Sequence, residues 1–119
     1  MAPVVDVPSS NFKRGNDGIS LTKTEYHPGK HSYVKYWWSY HDRSPEKFLV
    51  VFFDVKLKVA YVAGKVRTKQ YGNYKGHDKV YIDVIKGYPG KYTLRLVNVN
   101  NIDDVYAESK PFWVKEGDL

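Results

Sequence analysis

Apolar and polar positions alternate with a period of two along most of this chain, and no interval carries the 3.6-residue spacing and capping residues of an amphipathic helix. The clearest case is residues 91–99, where Tyr92, Leu94 and Leu96 alternate with Lys91, Thr93 and Arg95 after a turn at Pro89-Gly90. A polar turn over 100–104 leads into a second extended run, 105–115, in which Pro111 removes a backbone donor and predicts an edge, a bulge or a change of sheet. Upstream, residues 19–26 alternate loosely and end at a His27-Pro28-Gly29-Lys30 turn, and residues 31–40 are rich in strand formers. Residues 47–63 combine an apolar core, FLVVFF, with alternation of Phe53, Val55, Leu57, Val59 and Tyr61 against polar or small neighbours. At seventeen residues this run exceeds an ordinary strand, which predicts a bend or two strands joined near 54–58. Gly64 is expected to end it, residues 65–78 to form a long exposed loop, and residues 79–85 to form a strand with Val80, Ile82 and Val84 on one face. Residues 1–18, with two prolines and two glycines, are expected to form an irregular N-terminal arm with one short edge strand at 4–7.

About seven strands separated by turn signals predict a single all-β domain spanning 1–119, an antiparallel immunoglobulin-like or fibronectin III-like β-sandwich, with a small closed barrel as the alternative. Tyr92 favours the sandwich, because it precedes by two residues a core position, Leu94, at the start of the penultimate strand, where a tyrosine corner sits. In antibody domains that core position is a cysteine; here the chain has none, so packing replaces the bridge.

The absence of cysteine also removes thiolate metal sites and cysteine nucleophiles. No segment approaches the length of an apolar membrane span, and no basic stretch followed by an apolar run opens the chain, so an exported protein would be in its mature form. The formal charge of +6 is uneven: residues 54–91 carry nine lysines and arginines against three acids, which accounts for the whole excess. Such a segment suits phosphates, acidic glycans or anionic headgroups, or forms a solvated lysine face. Among 19 aromatics 11 are tyrosine, more than a core of this size needs, so some are expected at the surface.

Catalytic and metal chemistry finds little support. His27 and His31 are separated by Pro28-Gly29, which prevents a helical ligand pair, and no cofactor or metal is expected. Asp103-Asp104 belong to a turn, Asp42 beside His41 is an isolated acid, and neither a Gly-x-Ser-x-Gly elbow nor a phosphate-cradling glycine motif occurs. A non-enzymatic role is therefore expected. Two aromatic groups remain. Tyr71, Tyr74, Lys69, Lys75, Asn73 and His77 combine flat apolar faces with hydrogen-bonding tips, the two elements with which proteins hold sugars. Trp37 and Trp38 point to opposite sides of one strand, so at most one is core; the other, with Trp113, is expected to form an aromatic platform for a glycan, a partner or a second copy. A single-stranded nucleic-acid platform built on the same lysines and tyrosines lacks any supporting signature, and no nucleic acid is expected as partner.

Gly90 and Tyr92, the Leu94-x-Leu96-Val97 strand, and Asp104-Val105-Tyr106-Ala107-Glu108-Ser109 leading into Pro111-Phe112 resemble the last strands of the immunoglobulin-like domain of Ser/Thr-rich, GPI-anchored fungal cell-wall proteins, related to the yeast proteins of β-1,6-glucan assembly. The resemblance covers roughly a quarter of the chain and is carried by structural motifs. It departs at the N-terminus, where Pro8 and Phe12-x-x-Gly15 stand in place of a Pro-rich start and a Trp-x-x-Gly turn, and no Ser/Thr-rich tail follows. It implies a small secreted fungal protein that binds cell-wall or host glycans or acts on a receptor of immune cells. The contacts expected to carry this are Tyr71, Asn73, Tyr74 and Lys75 with Trp37 or Trp38; the alternatives are a structural or dimerising wall module and a basic nucleic-acid binder.

Overall fold

A computed structural model of the chain describes residues 18–119 together with the backbone pairing of Val5–Val7 and Ser9–Ser10. Most of the expected N-terminal arm, including Pro8, Phe12 and Gly15, lies outside the described residues. The described residues form an antiparallel β-sandwich with seven long strands: β3 (Ser20–His27), β4 (Tyr33–Ser39), β5 (Lys47–Asp54), β6 (Val59–Arg67), β7 (Lys75–Tyr81), β8 (Gly90–Asn98) and β9 (Asn101–Ser109). Three short strands, β1 (Val5–Val7), β2 (Ser9–Ser10) and β10 (Phe112–Val114), extend the edges.

One sheet has the order β1-β3-β4-β7 and the other β2-β9-β8-β5-β6, with β10 also on β8. Lettered as an immunoglobulin-type sandwich, β3, β4 and β7 are A, B and E, while β6, β5, β8 and β9 are C′, C, F and G. β1 pairs with β3 in one sheet and β2 with β9 in the other. The inward positions of both sheets meet in one core that includes Tyr36, Trp38, Phe48, Phe52, Leu94 and Leu96, all essentially inaccessible.

The long run at 47–63, for which a bend or two strands was expected, is two strands joined by a tight turn. Asp54, 5% exposed at the end of β5, accepts the amides of Lys56 and Leu57 at 3.0 and 2.9 Å, and Lys58 closes the turn with φ 56°. The turn breaks the alternation, which leaves Leu57 63% exposed. Gly64 does not terminate β6. It pairs with Val50 beside a bulge at Ala63, and β6 continues to Arg67 because Val66 fills a core position opposite Phe48. Likewise β7 begins at Lys75, so the loop expected over 65–78 shrinks to 68–74. Residues 82–85 form a turn of 3-10 helix rather than strand: Ile82 and Ile85, three apart, are buried while Val84 is exposed.

The crossover from that turn to β8 is tied down by Tyr92, whose hydroxyl donates to the carbonyl of Tyr88 at 2.6 Å, while Leu94 is fully buried two residues on. This is a tyrosine corner with a leucine in place of the cysteine. After Ser109, Lys110-Pro111 interrupts the ladder and β10 resumes it against Gly90, Lys91 and Tyr92. A closing turn at Glu116–Asp118 packs against the β3–β4 end, with Tyr26 donating to Asp118 at 2.9 Å.

Candidate functional site

The outer face of the β3-β4-β7 sheet is set by a bulge. Leu21 pairs with Trp38 and Lys23 with Trp37, so Thr22 is an extra residue that shifts the phase of β3. Leu21, Thr24 and Tyr26 consequently point inward, and Lys23, Glu25 and His27 outward. On β4 the outward set is Tyr33, Lys35, Trp37 and Ser39; on β7 it is Lys75, His77, Lys79 and Tyr81. Registers then fix four rows across the strands: His27, Tyr33 and Tyr81; Glu25, Lys35 and Lys79; Lys23, Trp37 and His77; Ser39 and Lys75.

Rings and ammonium groups interleave along these rows. His27 stacks on Tyr33 with centroids 4.5 Å apart and planes 9° off parallel, and Tyr81 meets Tyr33 edge-on at 5.9 Å. Lys79 Nζ lies 5.1 Å from the Tyr33 ring and 5.5 Å from that of Tyr81. Trp37 carries two ammonium groups, Lys23 at 5.0 Å and Lys35 at 4.9 Å from its centroid. Glu25 pairs with Lys23 at 3.0 Å and lies 3.1 Å from His27. The hydrogen bond from Lys23 is the main reason the Glu25 carboxyl is held below its usual range, with burial acting in the opposite sense.

Four of the residues singled out from sequence, Trp37, Tyr71, Lys75 and His77, come together here. Tyr71 stacks on His77 at 4.8 Å, His77 is the cross-strand partner of Trp37, and Lys75 occupies the next row. Trp38 does not join them. It is 1% exposed, packs edge-on against Phe48 at 5.1 Å and donates its Nε1 hydrogen to the Thr68 carbonyl at 2.9 Å, which makes it core rather than contact. Asn73 and Tyr74 follow Gly72 in left-handed conformation, with φ 55° and 61°, and turn toward the β4–β5 connection. The Tyr74 carbonyl accepts the Tyr40 amide at 3.0 Å, its ring lies 5.7 Å from that of Tyr40, and the neighbouring Asp42 raises its phenol pKa. Trp113 is exposed, as its flanking core residues Phe112 and Val114 require, and lies 5.9 Å from Lys91. It belongs to the outer face of the other sheet, so Trp37 and Trp113 cannot share one platform.

Lys23, His27, Tyr33, Lys35, Lys79 and Tyr81 were not anticipated from sequence. Alternation on β4 alone exposes Tyr33, Lys35 and Trp37 together, but the β3 contribution is hidden by the bulge and the β7 contribution by its glycine-containing start. Among the described residues no three His, Cys, Asp or Glu side chains converge as metal ligands, and no helix is long and apolar enough to cross a membrane. Compared with protein families, curated proteins and solved structures, the chain matches none.

Proposed function

We propose that the protein is a non-catalytic recognition module that binds glycan on the outer face of the β3-β4-β7 sheet. The observation that carries this is the aromatic strip itself: Trp37, Tyr33, Tyr81 and the stacked Tyr71–His77 pair lie on one outer face in cross-strand rows, flanked by hydrogen-bonding tips. Sugars are held by that pairing of apolar face and polar edge. Because all of the strip except Tyr71 lies on paired strands, these side chains are positioned before a ligand arrives, which lowers the ordering cost of binding. A glycan array followed by calorimetric titration tests the reading. Saturable binding that is lost in Trp37→Ala and in Tyr81→Ala supports it, and binding untouched by both substitutions refutes it.

The extracellular fungal setting, and action on a receptor of immune cells, are supported by the resemblance of residues 89–115 and belong to the same proposal. A dimerising role has one observation in its favour, the 65% exposure of Trp113 on the opposite sheet. A sedimentation mass that rises with concentration and falls in Trp113→Ser would favour it.

A further inference from the structure

We infer that the ligand of this face is an acidic polysaccharide, whose sulfate or carboxylate groups are met by Lys35, Lys79 and Lys75. The inference rests on the glycan reading and specifies its chemistry. Lys35 and Lys79 are direct cross-strand partners with both side chains outward. Like charges placed opposite each other on an antiparallel pair destabilise it. Glu25 is next in the same row, yet its carboxylate is engaged by Lys23 and His27, and neither Lys35 nor Lys79 forms an ion pair with a carboxylate among the described residues. The repulsion is instead met by ring faces: Lys35 leans on Trp37, and Lys79 on Tyr33 and Tyr81.

That geometry discriminates between ligands. A neutral sugar stacking on Trp37 must displace the two ammonium groups that already flank its ring. Successive anionic groups of one chain, met in turn by Lys35 and Lys79, offset the crowding of positive charge and gain charge-assisted hydrogen bonds, while the adjoining sugar rings pack beside the aromatic side chains. The strip from Lys75 to Tyr81 is about 20 Å long at the usual strand rise, which suits a linear chain lying along the strands.

The test uses the whole protein with dextran sulfate, polygalacturonate and unsulfated dextran, and with single-stranded DNA as a polyanion without acidic sugar. Calorimetry is expected to give binding to one or both acidic glycans at least about tenfold tighter than to dextran, weakening about tenfold between 0.05 and 0.2 M salt. Lys79→Glu places opposite charges across the strand pair, so it is expected to raise Tm while weakening acidic-glycan binding at least about tenfold. A basic residue with only a structural role would not move those two readouts in opposite directions. If dextran binds as well as its sulfate, depends on Trp37 and ignores Lys79→Glu, the acidic specificity is overturned and the glycan reading stands. If no glycan binds, both fall. DNA binding as tight as that of dextran sulfate overturns the preference for sugar.

Discussion

Gly76→Ala is the sharpest probe of how the core holds the proposed binding face in place. Gly76 lies inward on β7 as the cross-strand partner of Trp38, and the indole occupies the space a side chain would need. A Cβ at residue 76 would overlap Cζ2 and Cε2 of Trp38 and come within 2.9 Å of Cη2. The backbone there imposes no left-handed strain, so the requirement for glycine is one of volume alone. Forcing an atom into a packed core costs about 1–3 kcal/mol. Moving the indole also stretches the buried Trp38 Nε1 bond to the Thr68 carbonyl, now 2.9 Å, which adds about 1–2 kcal/mol if it breaks. Removing a strand glycine returns about 0.5–1 kcal/mol of chain entropy. The expected net loss is about 2–4 kcal/mol by urea unfolding, or a fall in Tm of roughly 10 °C for a domain of this size. Gly117→Ala, with nothing within 4 Å of its added Cβ, should change stability by less than about 0.5 kcal/mol. In a Trp38→Leu background the cost of Gly76→Ala should shrink by at least about 1 kcal/mol. An equal cost in both backgrounds, or a stable Gly76→Ala protein, would refute the reasoning. The flanking outward residues, Lys75 and His77, should also move, so weaker ligand binding is expected alongside.

Tyr92→Phe removes the corner hydrogen bond at 2.6 Å and should cost about 1 kcal/mol in urea unfolding, because the Tyr88 carbonyl sits by an exposed residue where water can replace the donor. Asp54→Ala withdraws the acceptor of two turn amides and should cost about 1–3 kcal/mol, measured in the same way. Burial pushes the Tyr92 hydroxyl up to about 12 and also raises those of Tyr26 and Tyr36. A raised folded-state value means that the protonated phenol is favoured by folding, so this stabilisation is complete below the unfolded value near pH 10 and is lost as pH rises toward 12. Ultraviolet titration of the eleven tyrosines should therefore leave these three silent until alkaline unfolding, and simple titration of all eleven near pH 10 would contradict the packing.

Much of the scaffold was legible because it depends on local signals. The alternation of Tyr92, Leu94 and Leu96, the turn at Pro89-Gly90 and the interruption at Pro111 each impose their own geometry, and β8, the tyrosine corner and β10 stand where those residues require. A break in 47–63 was legible from the length of the run, and the structure makes it a turn between two strands rather than a bend, with Asp54 accepting two turn amides. Two glycines were misread, Gly64 as the end of a strand and Gly76 as a loop residue. Gly64 sits beside a bulge and Gly76 beneath an indole, and neither role is visible without knowing the partner strand. The bulge at Thr22 is the same kind of feature, because an extra residue is defined only by what lies opposite.

The proposed site shows that division most plainly. Sequence alone established an all-β chain, the opposite orientation of Trp37 and Trp38, and an excess of lysine and tyrosine beyond the needs of a core. It had no means to decide which tryptophan was buried. Only the tertiary structure decided that, through the space left by Gly76 and the hydrogen bond to Thr68. Only strand pairing joined Lys23, Trp37 and His77 into one row, and set Lys35 against Lys79, from three separate segments of the chain. Periodicity within a strand is fixed by its own stereochemistry, whereas adjacency between strands is fixed by register, which the packing of the whole sandwich selects.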